Sequence, residues 1–148
     1  MICQPEKETV LAFLREVDNL FPISLSHSHD LSTVAEKLCL RGTIAAVIEQ
    51  DKIVSIVAGY TDYVINNKGY ISVVATLPQY AGRGYAKALV KEFLEVADNK
   101  LLDAVHLYAH ADNKIALQLY EKIGFEIWAI MDEPRPKDVH LIYWINRK

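Results

Sequence analysis

The residues best suited to chemistry lie in the run Thr76-Leu77-Pro78-Gln79-Tyr80-Ala81-Gly82-Arg83-Gly84-Tyr85-Ala86-Lys87. Gly82 and Gly84 lack a Cβ, so the chain there can adopt unusual backbone angles and let a ligand approach the main chain. Immediately afterwards Ala86, Leu89, Val90, Phe93, Leu94 and Ala97 repeat at the spacing of one helix face. A helix that opens directly after two glycines presents unpaired N–H groups and the positive end of its dipole, a cradle for an anion. The dinucleotide fingerprint and the P-loop are both excluded, because neither the GxGxxG order nor a Gly-Lys-Ser/Thr ending is present. A Gly-x-Gly turn alone also serves as a tight strand-to-helix connection, so the rest of the chain has to decide between the two.

Other residue groups are less specific. His106, Tyr108 and His110 fall on one face of an alternating segment, where a histidine serves either as a base or as a hydrogen-bonded structural residue. Ser26-His27-Ser28-His29-Asp30 holds two histidines without a third ligand at recognisable spacing, so a solvated loop is expected there and no metal site is predicted. Asp132 and Glu133 read as a charged turn, with attraction of a cationic amine as the second meaning. Cys3 and Cys39 match neither a disulfide framework nor a zinc site, and Cys39 falls on an apolar helical stripe that assigns it to the core.

The elements that must position these groups follow from periodicity and punctuation. Pro5 with Glu6 and Glu8 opens a helix over about residues 5–20, with Val10, Phe13, Leu14, Val17 and Phe21 on its apolar side. A second helix capped by Asp30 or Ser32 carries Leu31, Val34, Ala35, Leu38 and Cys39, and Gly42 lies beyond its end. Two strands, Thr43 to Glu49 and Ile53 to Tyr60, flank Gln50-Asp51-Lys52 at hairpin length, and their Ile, Val and Ala content predicts burial on both faces. Asn66 to Gly69 marks a further turn into the strand containing Tyr70 to Ala75. Beyond the glycine loop and its helix, Ala104 to His110 should pair parallel with that strand, as strand-helix-strand crossovers of this length do. Asp112 or Asn113 opens a short helix closed by Gly124, and two strands follow, Phe125 to about Met131 and Val139 to Ile145. The result is α-α-β-β-β-α-β-α-β-β, an α/β mixed sheet with helices on its faces.

With 148 residues and no linker or repeat, one domain spanning 1–148 is predicted. A formal charge of −3 without clustered Lys or Arg argues against nucleic acid, and no apolar run reaches the length of a membrane span. The N-terminal segment lacks the basic and apolar regions of a signal peptide, so a cytoplasmic location is expected.

Two motifs tie this order to a known group. Ala81-Gly82-Arg83-Gly84-Tyr85-Ala86 aligns with Gln/Arg-x-x-Gly-x-Gly/Ala, with Ala81 as a departure. Asn113, Ala116, Leu119, Tyr120, Gly124 and Phe125 match Asn-x-x-Ala-x-x-Leu-Tyr-x-x-x-Gly-Phe throughout. The chain thereby resembles the GNAT superfamily of coenzyme A-dependent N-acyltransferases, across essentially its whole length in element order. The resemblance implies a mixed, mostly antiparallel sheet of six to seven strands with a parallel pair at the centre and about four helices. It implies acetyl-CoA as cofactor, its pyrophosphate on the amides of Gly82, Arg83, Gly84, Tyr85, Ala86 and Lys87, with Arg83 and Lys87 adding charge. Backbone groups of Val74 and Thr76 are expected to pair with pantetheine and the thioester carbonyl, and Asn113 to hold a pantetheine amide. Tyr120 is expected near the sulfur as the acid for the departing thiolate, since a phenol with a pKa of about 10 is protonated at neutral pH. Its other meaning is a ring filling the apolar face beside Leu119 and Ile123. His110, ahead of His106, is the candidate base. The reading is an N-acetyltransferase that moves an acetyl group to a primary amine of a small molecule or peptide by direct attack through a tetrahedral intermediate. The rival is a non-catalytic acyl-CoA-binding or interaction module on the same fold. A strand such as Val139 to Ile145 at the sheet edge is suited to joining a homodimer, without requiring one.

Overall fold

The computed structural model describes residues 1–20, 26, 30–128 and 138–146. Four helices and seven strands follow in the order β1 (Ile2–Cys3), α1 (Lys7–Val17), α2 (Leu31–Arg41), β2 (Thr43–Glu49), β3 (Lys52–Ile65), β4 (Lys68–Thr76), α3 (Tyr85–Asn99), β5 (Ala104–His110), α4 (Lys114–Ile123), β6 (Glu126–Ile127) and β7 (Asp138–Trp144). The strands form one sheet ordered β1-β2-β3-β4-β5-β7-β6. Every neighbouring pair is antiparallel except β4 and β5, so the parallel pair stands at the middle of a mixed, mostly antiparallel sheet as expected.

Helices cover the two faces of the sheet. On one side the apolar stripe of α1, with Val10, Phe13, Leu14 and Val17, joins Ala35 and Leu38 of α2 over Ile44, Ala46, Ile56 and Ala58. On the other, Leu89, Val90, Phe93 and Ala97 of α3 pack with Ala45, Val57, Ile71, Val105 and Leu107. Each fully buried Leu, Phe or Val contributes about 1.5–3 kcal/mol through the apolar surface it withdraws from water. Burial of β2 and β3 on both faces follows from this sandwiching and matches their unbroken Ile/Val/Ala content.

The β2–β3 and β3–β4 hairpin turns bend through left-handed residues. Gln50 and Asp51 have φ of 52° and 63°, and Asn66 and Asn67 both have 56°. Paired positive φ values are those of the primed turn whose twist matches the strands it joins, and Asn and Asp tolerate it better than other side chains.

Several boundaries differ from expectation. The first helix ends at Val17 and gives way to a tighter 3₁₀ turn over Asp18–Leu20. Strand β3 runs on past Tyr60 to Ile65, because Thr61 is buried and shares a 2.6 Å hydrogen bond with Thr43 while Lys100 Nζ donates to it at 2.8 Å. The two-residue β1, too short to show periodicity, pairs with β2. Cys39 is only partly buried, packed at the margin of the core with its thiol 3.5 Å from the Pro5 carbonyl. The strand around Val139 to Ile145 is not an edge: β7 lies between β5 and β6, and the short β6 takes the edge instead. Among the described residues no helix is long and apolar enough to cross a membrane.

Candidate functional site

The site begins with the way β4 leaves its neighbours. Its ladder with β3 matches Ala58 to Val73 but Gly59 to Ile71, which leaves Ser72 as an extra residue, a β-bulge. A Cβ on Gly59 would sit 1.9 Å from the Tyr70 carbonyl oxygen, so this close approach admits only glycine. On its other side β4 pairs with β5 from Lys68–Ala104 to Ile71–Leu107 and no further, although β5 continues pairing with β7 as far as His110. From Ser72 onward the two central strands therefore part.

The parting exposes a known set of backbone groups. Leu77 N donates to Val54 O at 2.9 Å, which fixes the parity of the β3–β4 ladder beyond the bulge. In an antiparallel ladder alternate residues point to opposite neighbours, so Val73 and Ala75 face β3, and Val74 and Thr76 direct N–H and C=O toward the open side. Thr76 is further held by its side chain, whose Oγ1 shares a 2.8 Å hydrogen bond with Ser55 Oγ.

The glycine loop stands at the mouth of this opening. A 3₁₀ turn, Pro78–Tyr80, leads into it, and Gly82 and Gly84 both take φ of 79°. A Cβ at either would meet nothing within 4 Å among the described residues, so glycine is favoured there by its positive φ and not by crowding. Gly84 is the N-cap of α3 and, having no side chain, cannot satisfy the helix's first amides. The first amide of α3 to bond back is Ala88, to Gly84 O at 3.1 Å, and the first turn carries no acidic residue. The amides of Tyr85, Ala86 and Lys87 and the helix dipole thus converge on one spot beside the end of β4. Arg83 lies over the Tyr80 ring at 4.8 Å, at the rim of the cradle. These torsions also favour another motif register, Gln79-x-x-Gly82-x-Gly84, in which both glycines fall on the left-handed positions and Ala81 ceases to be a departure.

Across the parting, Asn113 caps α4 by accepting the Ala116 amide on its Oδ1 at 3.2 Å. That cap occupies the oxygen and leaves the Nδ2 amide group as the donor available to a ligand. Tyr120, 5% exposed, belongs to the same buried cluster as Leu107 and Ala109 of β5, with its ring 5.7 Å from Phe125. Burial pushes its phenol well above the ordinary range, so it stays protonated and keeps an O–H to donate. His110 ends β5, half-buried, and its Nδ1 accepts the Asp112 amide at 3.2 Å.

The structure thus gathers the end of β4, the glycine loop, the start of α3, Asn113 and Tyr120 around the parting of β4 and β5. His27, His29, Asp132 and Glu133 lie outside the described residues. Missed in the sequence was a ring cluster on the opposite face of β5, where His106 Nδ1 and His140 Nε2 are 2.9 Å apart. No local signal joins two histidines 34 residues apart; only the β5–β7 register does.

Comparison with known proteins agrees with this geometry. The profile of the Acetyltransferase (GNAT) family matches residues 12–125, well over half the chain. The mycothiol acetyltransferase of Paenarthrobacter aurescens is 40% identical over 60 residues, which is 40% of this chain but only 19% of that protein. A GNAT-family acetyltransferase from Staphylococcus aureus superposes with a TM-score of 0.78 at 16% identity, over 99% of both chains. The PaiA N-acetyltransferase of Thermoplasma acidophilum, solved in complex with coenzyme A, superposes with a TM-score of 0.74 at 16% identity, covering 97% of this chain and 98% of that one. At such identities the two structures speak for the fold, and the profile match speaks for descent: the chain belongs to the acetyltransferase (GNAT) family.

Proposed function

We propose that this chain is an acetyl-CoA-dependent N-acetyltransferase that moves an acetyl group to a primary amine on a small molecule or peptide by direct attack. The observation that carries the reading is the ending of the β4–β5 ladder at Ile71–Leu107, beside a helix start whose first amides are unpaired among the described residues. An extended pantetheine arm is a strand-like ligand, and an open strand edge offers it main-chain hydrogen bonds as another strand would. Acetyl-CoA supplies a thioester carbonyl for the amine to attack; the remaining work falls to the protein.

The amides from Gly82 to Lys87 hold the pyrophosphate, and the Arg83 and Lys87 side chains screen its charge. Val74 and Thr76 align the arm through backbone groups, and an N–H on this edge stabilises the negative charge that develops on the carbonyl oxygen. Asn113 donates from Nδ2 to a pantetheine amide while its Oδ1 keeps the cap. Tyr120 donates to the leaving sulfur. A thiol with a pKa near 8.5 is a stronger acid than this phenol, so Tyr120 stabilises the thiolate chiefly by hydrogen bonding, and the proton itself is exchanged with water afterwards. The proton lost by the amine goes to an imidazole on the outer face of β5, where His110 is the candidate indicated by sequence and His106 the other.

The reading is tested by incubating the protein with acetyl-CoA and a panel of amines, from amino acids and peptide N-termini to polyamines and aminoglycosides, with free thiol as the readout. Amine-dependent thiol release is expected. Acetyl-CoA binding without release on any amine would favour a non-catalytic acyl-CoA-binding module.

A further inference from the structure

The outer face of β5 carries a cluster of rings that the cofactor side does not use. Tyr70 lies 5.0 Å from His106 across the parallel ladder, Tyr108 stacks on His140 at 4.2 Å, and Trp128 approaches both imidazoles at 5.8 and 4.8 Å between centroids. His106 pairs with Tyr70 in register, one residue before the Ile71–Leu107 pair at which the strands part. Because side chains alternate, these rings face away from Leu107 and Ala109, and so away from α3 and Tyr120. An amine reaching the parting from this side meets His106 as its nearest imidazole along β5. His110 lies three residues beyond the end of the ladder, with its Nδ1 accepting the Asp112 amide.

We propose that His106, backed by His140, takes up the proton that the acceptor amine loses during transfer; the assignment rests on the N-acetyltransferase reading above. The amine nitrogen bonds the acyl carbon, the carbon–sulfur bond breaks with its electron pair leaving on sulfur, and one N–H proton passes to His106 Nε2. The Nδ1–H of His106, which donates to His140 Nε2 across 2.9 Å in this tautomer, can then move to His140, so the charge is shared by two rings. His106 must be neutral beforehand, and its surroundings favour this. Burial, His140 and Lys68 hold His106 down to about 4. Among the described residues, the titratable groups on this face include the cation Lys68, which lies over Trp128 and Trp144 at 5.8 and 5.6 Å, the phenols Tyr70 and Tyr108, Glu126 of β6, which shares Ile142 as register partner with His106, and, at the far end, Asp138 opposite His110. Such an imidazole is too weak a base to strip a free ammonium ion. An amine already bonding to the acyl carbon is far more acidic, and that is the moment at which His106 acts.

The test compares wild type, His106→Gln and His140→Gln in turnover against pH, with acetyl-CoA affinity by calorimetry as an independent readout. His106→Gln is expected to lower kcat about 100-fold near neutral pH, with acetyl-CoA affinity within about twofold, and the deficit should shrink at alkaline pH as solvent base substitutes. His140→Gln should lose about tenfold, because His106 keeps its accepting nitrogen but loses the second ring. Wild-type turnover with His106→Gln matching it overturns this assignment alone, as does a full loss in His110→Gln beside an unchanged His106→Gln. A wild type that binds acetyl-CoA yet releases no thiol removes the N-acetyltransferase reading, and the proton acceptor with it.

Discussion

The two sides of the parting between β4 and β5 are made of different materials. On the α3 side the site is mostly main chain: the outward-facing groups of Val74 and Thr76, two left-handed glycines and the free amides of a helix start. On the opposite side it is side chain: Tyr70, His106, Tyr108, His140 and Trp128, brought together from β4, β5, β7 and the end of β6. A backbone site is insensitive to most substitutions, provided that glycine and the helix start remain. A side-chain site depends on every ring in it. The first is suited to an invariant ligand and the second to a variable one, as expected for a shared acyl donor and a protein-specific acceptor.

Substitutions that separate the two sides test this contrast. On the α3 side the largest effect on turnover should come from Tyr120→Phe, which keeps the ring against Phe125 but removes the only donor proposed for the sulfur. Its kcat is expected to fall by about 100-fold with acetyl-CoA affinity nearly unchanged, measured by steady-state turnover and calorimetry. An unchanged rate would return Tyr120 to a purely structural role.

Asn113 allows a finer division, because its two side-chain atoms have different duties. Asn113→Asp keeps an oxygen for the Ala116 amide and loses the Nδ2 donor, so stability should hold while acetyl-CoA affinity falls several-fold. Asn113→Ala should lose both, with a further stability cost of about 1 kcal/mol for the missing cap, seen as a lower midpoint in urea. Equal affinities in the two variants, both matching wild type, would remove Asn113 from the ligand site.

The smallest effect concerns pH and belongs to the side-chain half. His106 is held at about 4, below its unfolded value near 6.5, so the unfolded chain binds the proton more readily. Its neutral burial therefore contributes stability that is present above pH 6.5 and is lost as pH falls toward 4. His106→Gln should flatten the decline in melting temperature between those limits, by a few degrees at the acid end. A slope identical to wild type would mean that His106 already titrates as a solvated imidazole.

What the sequence disclosed follows the same division. The glycine loop, the cap at Asn113 and the glycine closing α4 are local, set by residue types a few positions apart, and all three elements formed where their punctuation predicted. The parallel pairing of β4 with β5 was legible because a strand-helix-strand unit leaves few alternatives. The bulge at Ser72 was not, since it depends on a close approach between Gly59 and Tyr70 that no pattern within β4 announces. The continuation of β3 was hidden by Thr61 and Asp62, polar residues whose partners, Thr43 and Lys100, lie elsewhere in the chain. His106 was visible as a strand histidine, but the partner that gives it chemical meaning arrives only through the register of β7.

The central claim is that the amides from Gly82 to Lys87 and the open edge of β4 bind acetyl-CoA, and calorimetric titration of wild type and Gly84→Glu addresses it most directly. The account predicts saturable binding to wild type and a loss of at least about 100-fold in the variant, which adds a negative charge to the cradle and strains a left-handed residue. A melting curve run alongside should show both proteins folded. A folded wild type that gives no heat with acetyl-CoA, or a Gly84→Glu protein that binds as tightly as wild type, would contradict the account.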